Sequence, residues 1–414
     1  MVDNVYGGVS GNSTHGQNTQ IHFYDKAGIK AANEMSVYSQ FADRKYMPTK
    51  RGMTYKTSKW LHIYDREVIS SDFDKYGYLT GRNVADVESG LADATLPEGS
   101  GPANKRSIKK VTVETSFARY GEMLDYSDEV EMFSEDAVQV HYHEELGRLA
   151  NIRNEDLVQL EMLSTTTVLY PGTATSPHTV GIDTTAADGS EDGLSRYSYD
   201  LSRRATMILD RNRAVKNTEI VDGDVKVDTR TVNKAYYAIV GAQVKFDLPK
   251  LTRGDSYEKE FVYIPTSKYA SGAKDLAKGE VGAMDDTRFI ESETAVVYRG
   301  AGAQVPAGYV GTLSHTTLDA PAAAALEASL GSPGVYNAGE TRFDVFPILY
   351  PTQGSFATVG LKGKNKIVFH KMAPGELDRT NPYANQGFFS YNFWYAGLIQ
   401  REERLLKVMV AASA

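Results

Sequence analysis

Gly279-Glu280-Val281-Gly282, followed six residues on by Arg288-Phe289-Ile290-Glu291-Ser292, is the stretch whose reading decides the fold. Its two glycines are free to take positive φ, so the first run reads as a tight turn. The second run reads as a strand carrying one buried-side Phe/Ile pair between flanking charges. Strand-like runs at 235–246, 260–264 and 287–298 surround it, and alanine-rich 320–330 reads as a short helix. The middle of the chain is therefore mixed α+β.

The C-terminal third is richest in strands, at 341–350, 356–361 and 366–371. It continues through the aromatic run Gly387 to Ala396 and closes on a last strand over 398–410. On the other side, 199–213 reads as a helix with Leu201, Ala205, Ile208 and Leu209 on one side. The strongest helix signal runs from Ser127 to Leu163. Ser127 or Asp125 is available as N-cap, with Asp128, Glu129 and Glu131 in the first turn. Its apolar stripe runs from Val130 and Phe133 to Leu160 and Leu163, and Thr165-Thr166-Thr167 with Pro171-Gly172 ends it. Upstream, strands around 54–64 and 108–120 bracket a polar excursion of about 40 residues, longer than compact domains usually carry without purpose. It includes Leu96-Pro97-Glu98-Gly99-Ser100-Gly101-Pro102, an exposed-loop composition. A short helix over 26–41 follows a Gly/Ser/Asn/Thr-rich start.

At 414 residues, 41% hydrophobic and 24% charged, the chain has globular composition and enough length for a sizeable core. No apolar stretch approaches a membrane span and the start carries no secretory pattern, so a soluble protein made in the cytosol is expected. Zero cysteines exclude disulfides, thiolate metal sites and a cysteine nucleophile. A net charge of −8 argues against gripping nucleic acid non-specifically. The 26 tyrosines suit half-buried surfaces and interfaces, although strand propensity alone also produces such a count.

Chemistry has few candidates. In His141-Tyr142-His143-Glu144-Glu145 the two histidines project from nearly opposite sides of a helix, and no second histidine follows at zincin spacing. The run reads as a solvated helix face. Asp183, Asp188, Glu191 and Asp192 lack the alternate spacing of a calcium loop. Gly300-Ala301-Gly302 and Gly360-Leu361-Lys362-Gly363 complete neither a dinucleotide fingerprint nor a phosphate loop. Lys362, Lys364, Lys366 and Lys371 are the nearest thing to a basic patch, and a polar strand face explains them equally well. No catalytic, cofactor-binding or metal-binding residue is expected, and no enzymatic activity.

Several segments together resemble the major capsid protein of tailed bacteriophages, in the family typified by the head protein of N-four-like podoviruses. They are Leu96-Pro97-Glu98-Gly99, Phe117-Ala118-Arg119-Tyr120-Gly121-Glu122 leading to Tyr126-Ser127-Asp128, Gly279-Glu280-Val281-Gly282 with Arg288-Phe289, and Asn381-Pro382-Tyr383 through Trp394. The resemblance implies an α+β chain of the HK-ninety-seven-type capsid fold. It would comprise an N-terminal arm over 1–49, an extended hairpin loop over 50–115, and a peripheral domain over 116–215 and 336–414. The peripheral domain would carry a spine helix at about 125–165, and an axial domain would span 216–335. It further implies self-assembly into pentamers and hexamers of an icosahedral head in the host bacterial cytoplasm, around double-stranded DNA held without sequence specificity. Portal, scaffolding and decoration proteins would be partners, with no membrane. Candidate intersubunit contacts are Trp60, Glu98, Glu280 and Arg288. If Glu280 and Arg288 pair at the surface, within or across subunits, the pair contributes only about 0–1 kcal/mol. A shell around protein cargo of the encapsulin kind, and far behind it a metal-dependent hydrolase using His143, are the alternatives.

Overall fold

The computed structural model describes residues 37–60, 84–96, 98–99, 110–133, 138–181, 195–217, 234–252, 261–263, 279–363, 367–375 and 382–414. Most of the helix expected over 26–41, the carboxylates from Asp183 to Asp192, and Lys364 and Lys366 lie outside them. The described residues belong to one compact unit, Met35–Ala414.

In chain order, β1 (Asp43–Met47) precedes β2 (Thr54–Trp60), α1 (Val84–Asp93) and β3 (Lys110–Ser116). β4 (Ala118–Ser127) runs straight into α2 (Asp128–Phe133), and α3 (Val138–Leu163) and β5 (Val168–Leu169) follow. Next come α4 (Tyr199–Arg211), β6 (Tyr236–Val240), α5 (Ala242–Asp247), β7 (Val262–Tyr263), β8 (Glu280–Met284) and β9 (Thr287–Glu291). β10 (His315–Thr317), α6 (Ala320–Leu330), β11 (Thr341–Phe343), β12 (Phe346–Pro351) and β13 (Phe356–Leu361) lead to the last strands. These are β14 (Val368–Met372), β15 (Gln386–Tyr395), β16 (Gly397–Ile399) and β17 (Leu405–Val410).

A seven-stranded mixed sheet in the order β5-β17-β12-β6-β9-β8-β7 is the framework. β6 reads Tyr-Tyr-Ala-Ile-Val with every residue buried, the continuous apolar pattern of a strand covered on both faces. On one face Tyr236, Ala238, Phe289 and Val408 pack with Leu201, Ala205 and Leu209 of α4. On the other, Tyr237, Ile239, Ile290 and Leu405 meet Val158, Met162 and Leu163 of α3. A third cluster gathers Leu313, Phe343, Val345 and Met409 around Ala323 and Leu326 of α6. The helices that cover the sheet are locally specified. Ser198 accepts a hydrogen bond from the Leu201 amide at 3.2 Å, Asp319 accepts from the Ala322 amide at 2.8 Å, and Gly331 ends α6 with φ 65°.

The stretch that decides the fold is a hairpin, β8 paired antiparallel with β9, and its turn falls at Asp285-Asp286 with Asp285 at φ 48°. Gly282 lies inside β8, where an added Cβ would sit 2.7 Å from the Val262 carbonyl oxygen and would also strike the Phe261 ring. Its glycine therefore serves close approach to β7, whereas Gly279 does take positive φ, at 83°. Phe289 and Ile290 are both fully buried on opposite faces, because β9 is an inner strand pairing with β6 and β8.

Other expectations shift at their edges. The strand expected over 235–246 stops at Val240, where Gly241 opens α5. The run 341–350 divides into β11 and β12, 398–410 divides into β16 and β17, and the strand over 287–298 ends at Glu291. The excursion between β2 and β3 contains α1. Within the span expected for the spine helix, 125–165, α2 opens at Asp128 and α3 ends at Leu163. β4 pairs with β15 as far as Ser127↔Gln386, and the Asp128 amide donates to the Asn385 carbonyl at 2.9 Å, so the ladder runs up to the first residue of the helix. Phe133, placed in the apolar stripe from spacing, is 85% exposed on α2. Leu160 is exposed as well. No helix among the described residues is long and apolar enough to cross a membrane.

The interior accounts for part of the tyrosine count. Tyr236, Tyr350, Tyr197 and Tyr391 are buried, and Tyr236 donates to Asp210 Oδ1 at 2.7 Å.

One buried cation stands out. Lys407 on β17 points at the C-terminal end of α3 and donates to the Leu163 carbonyl at 2.7 Å, and burial pushes its pKa down to about 8. Because the folded value lies below the unfolded one, the unfolded chain binds more protons between pH 8 and 10.5, and the wild type gains stability as pH rises through that window. At neutral pH the cost is fully present. Lys407→Met should therefore stabilise at pH 7 by about 1–2 kcal/mol, the relief of burial less the lost carbonyl partner. Denaturant unfolding at pH 7 and pH 10 checks this, and the advantage of the variant should narrow at the higher pH.

Candidate assembly surface

β2 and β3 form a two-stranded antiparallel ribbon in register from Thr54↔Ser116 to Trp60↔Lys110. Threonine, valine and tyrosine at alternate positions suit such a ribbon, and the alternation divides it into two faces. Tyr55, Thr57 and Lys59 with Val113 and Thr115 are half-buried toward the body, whereas Thr54, Lys56, Ser58 and Trp60 are exposed. Trp60 is 61% exposed, with the Lys110 ammonium 5.7 Å from its ring centroid. Lys56 and Glu114 pair across the exposed face at 2.5 Å.

The ribbon is rooted in a small apolar cluster of Met47, Phe117, Val359 and Ala396, against which Tyr55 and Trp394 pack. Toward the other end of the ribbon Lys59 Nζ donates to Glu403 Oε2 at 2.9 Å, with the lysine side chain 16% and the glutamate 1% exposed.

The neighbouring sheet, β14-β15-β4, continues the surface. β15 alternates strictly, with Phe389, Tyr391, Phe393 and Tyr395 buried toward α3, stacked in part by the Tyr391–Phe393 pair at 6.2 Å. Gly387 faces Tyr126 in the ladder, and an added Cβ there would lie 2.6 Å from the tyrosine ring. The flanking strands leave Met123, Val368 and Tyr120 exposed, and Met132, Phe133 and Tyr383 are exposed at the same end of the chain path. Apolar groups left in water on a sheet and on the outer face of a ribbon are the ordinary marks of an association surface. Pattern reading missed these residues, because an apolar side chain at an alternate strand position looks the same whether its face meets a helix or water.

The four contact candidates separate. Trp60 stands on the outer face of the ribbon, and Glu98 is exposed in a turn. Glu280 and Arg288 pair with one another inside the chain at 2.6 Å, with side chains 5% and 6% exposed, so they are not a solvated surface pair. Of the remaining polar groups, His141 and His143 are exposed on α3, His143 lying 5.0 Å edge-on to Phe369. Among the described residues no group of three or more His, Cys, Asp or Glu is placed to hold a metal ion. Lys371 stands 5.4 Å over the Phe389 ring, and the Gly300-Ala301-Gly302 run is buried, with the Gly300 amide donating to Asp344 at 2.7 Å.

Comparison with known proteins gives this geometry a context. No protein-family model matches the chain. The major capsid protein of Pseudomonas phage KPP21 is 28% identical over 422 residues, covering 98% of this chain and 96% of that protein. Among solved structures, the capsid of Ralstonia phage GP4 superposes with a TM-score of 0.57 at 11% identity, covering 97% of each chain. The fold is that of phage capsid proteins. The head structure of Helicobacter pylori bacteriophage KHP40 agrees, with a TM-score of 0.51 at 10% identity and 99% of each chain covered. Identities this low with full-length superposition mean that the capsid fold is carried by the pattern of buried positions, with few residues retained.

Proposed function

We infer that this chain is the major capsid protein of a phage, a repeated structural unit that associates with copies of itself into capsomers and a closed head. The observation that carries the reading is the full-length similarity to a curated major capsid protein together with a capsid fold spanning the whole chain. Its role is mechanical, with no catalytic step. Pentamers and hexamers of an icosahedral shell are the arrangement we propose, with double-stranded DNA inside. The net charge of −8 suits a wall that does not grip its contents. Portal, scaffolding and decoration proteins complete the partner set, and assembly takes place in the host cytoplasm.

The domain scheme belongs to the same proposal. The segment 50–115 is the extended loop, with β2 and β3 as its stem. The segments 116–215 and 336–414 make the peripheral part, and 216–335 contributes to the axial part. The seven-stranded sheet draws strands from both of the latter, so they share one framework.

Light scattering and negative-stain imaging of the purified chain, alone and with its scaffolding protein, test the reading. Rings or closed shells are expected, and a persistent monomer under both conditions overturns it. Trp60→Ala should leave the unfolding free energy within about 0.5 kcal/mol, as for other exposed substitutions, while lowering shell yield severalfold. Unchanged yield would remove Trp60 from the contact surface.

A further inference from the structure

We propose that the Lys59–Glu403 pair is a latch that sets the angle at which the β2–β3 ribbon leaves the body, with the turn Glu402–Arg404 as its fixed seat. A two-stranded ribbon has little stability of its own, so its direction depends on what holds its base. The apolar root of Met47, Phe117, Val359 and Ala396 supplies attachment. Apolar burial is non-directional, so a root of this kind by itself acts as a pivot. A second, directional contact away from the pivot converts attachment into orientation. Lys59 provides it, reaching Glu403 at 2.9 Å in a site that excludes almost all water from the carboxylate. The ion pair Lys56–Glu114 joins the two ribbon strands to one another and cannot orient them against the body.

The seat is tied from several sides. Glu402 Oε1 accepts from the Thr166 amide at 3.2 Å and the Thr166 hydroxyl at 2.8 Å, and the Thr167 hydroxyl donates to the Glu402 carbonyl at 3.1 Å. These bonds fasten the turn to the segment that ends α3. Asn212, at the end of α4, donates to the Glu403 carbonyl at 2.8 Å, and Thr352, just after β12, donates to the Arg404 carbonyl at 2.7 Å. The turn then enters β17, an inner strand of the large sheet. Lys59 is thus fastened to a point that the ends of α3, α4 and β12 all hold in place. Neither residue carries a motif signal, and 344 positions separate them.

The effect on contacts with a neighbouring copy rests on the shell reading, whereas the latch itself does not. Because the chain has no cysteine, spin labels can be placed at Ser58→Cys on the exposed ribbon face and Glu144→Cys on α3, in full-length protein diluted with unlabelled copies. The distance distribution between them should be narrow in the parent. Lys59→Met and Glu403→Gln should each broaden it at least twofold, Lys59→Arg should restore it, and Lys56→Met should leave it unchanged. Unfolding curves of the same samples identify a variant that fails to fold, in which case the other one decides. An unchanged width in a folded variant lacking the pair overturns the latch. Broadening in a chain that never assembles keeps the latch and removes the shell reading, and assembly with unchanged width does the reverse.

Discussion

Arg288→Met should destabilise the chain by about 3–5 kcal/mol, the cost of leaving one member of a buried ion pair without its counter-charge. Glu280 and Arg288 meet at 2.6 Å with side chains 5% and 6% exposed, on adjacent strands of the β8–β9 hairpin. A carboxylate left there loses its counter-charge while its side chain is only 5% exposed. The double variant Glu280→Leu/Arg288→Met should recover most of the loss, because two apolar side chains of similar size need no partner. The cycle of single and double variants, measured by denaturant unfolding, isolates the coupling. A coupling of about 0–1 kcal/mol, the value for a solvated pair, would show that water reaches the site.

Phe289→Ala should cost a further large amount, about 3–5 kcal/mol, through lost burial and the cavity left behind. Phe289 is fully buried and meets Tyr197 edge-on with ring centroids 5.6 Å apart and Phe261 at 5.9 Å. The sheet behind it and the α4 side chains in front leave little room for the site to collapse. Ile290→Val, one position along on the opposite face, removes one methylene against α3 and should cost only about 0.5–1.5 kcal/mol. Thermal or denaturant unfolding of both variants checks the contrast, and a loss below 1 kcal/mol for Phe289→Ala would mean that this side of the sheet is loosely packed.

How much was legible from residues depends on how local the deciding interaction is. The ribbon strands, the helix at Ala320–Leu330 and the strand at Phe356–Leu361 were readable, since strand composition and an alanine-rich run act within a few residues. The helix start near Ser127 was legible too, α2 opening at Asp128, whereas the pairing of β4 with β15, which joins positions more than 250 apart, was not. The exposed apolar positions of the candidate surface were less legible. Trp60 was named with the resemblance, but Met123 and Val368 look like core residues until their face is seen to lack a covering helix.

The sequence by itself determined the α+β class, the kind of most elements, the absence of disulfide chemistry and, through a set of ordered segments, the resemblance to phage head proteins. Those features depend on composition and on patterns with periods of two to four residues, which neighbouring positions impose on one another. Only the tertiary structure decided which strands lie side by side, that Phe289 and Ile290 serve two different cores, and that Glu280 and Arg288 are a buried pair. It alone brought Lys59 to Glu403. Burial and long-range pairing depend on what covers a face or an edge, and the covering residues are hundreds of positions away in the chain.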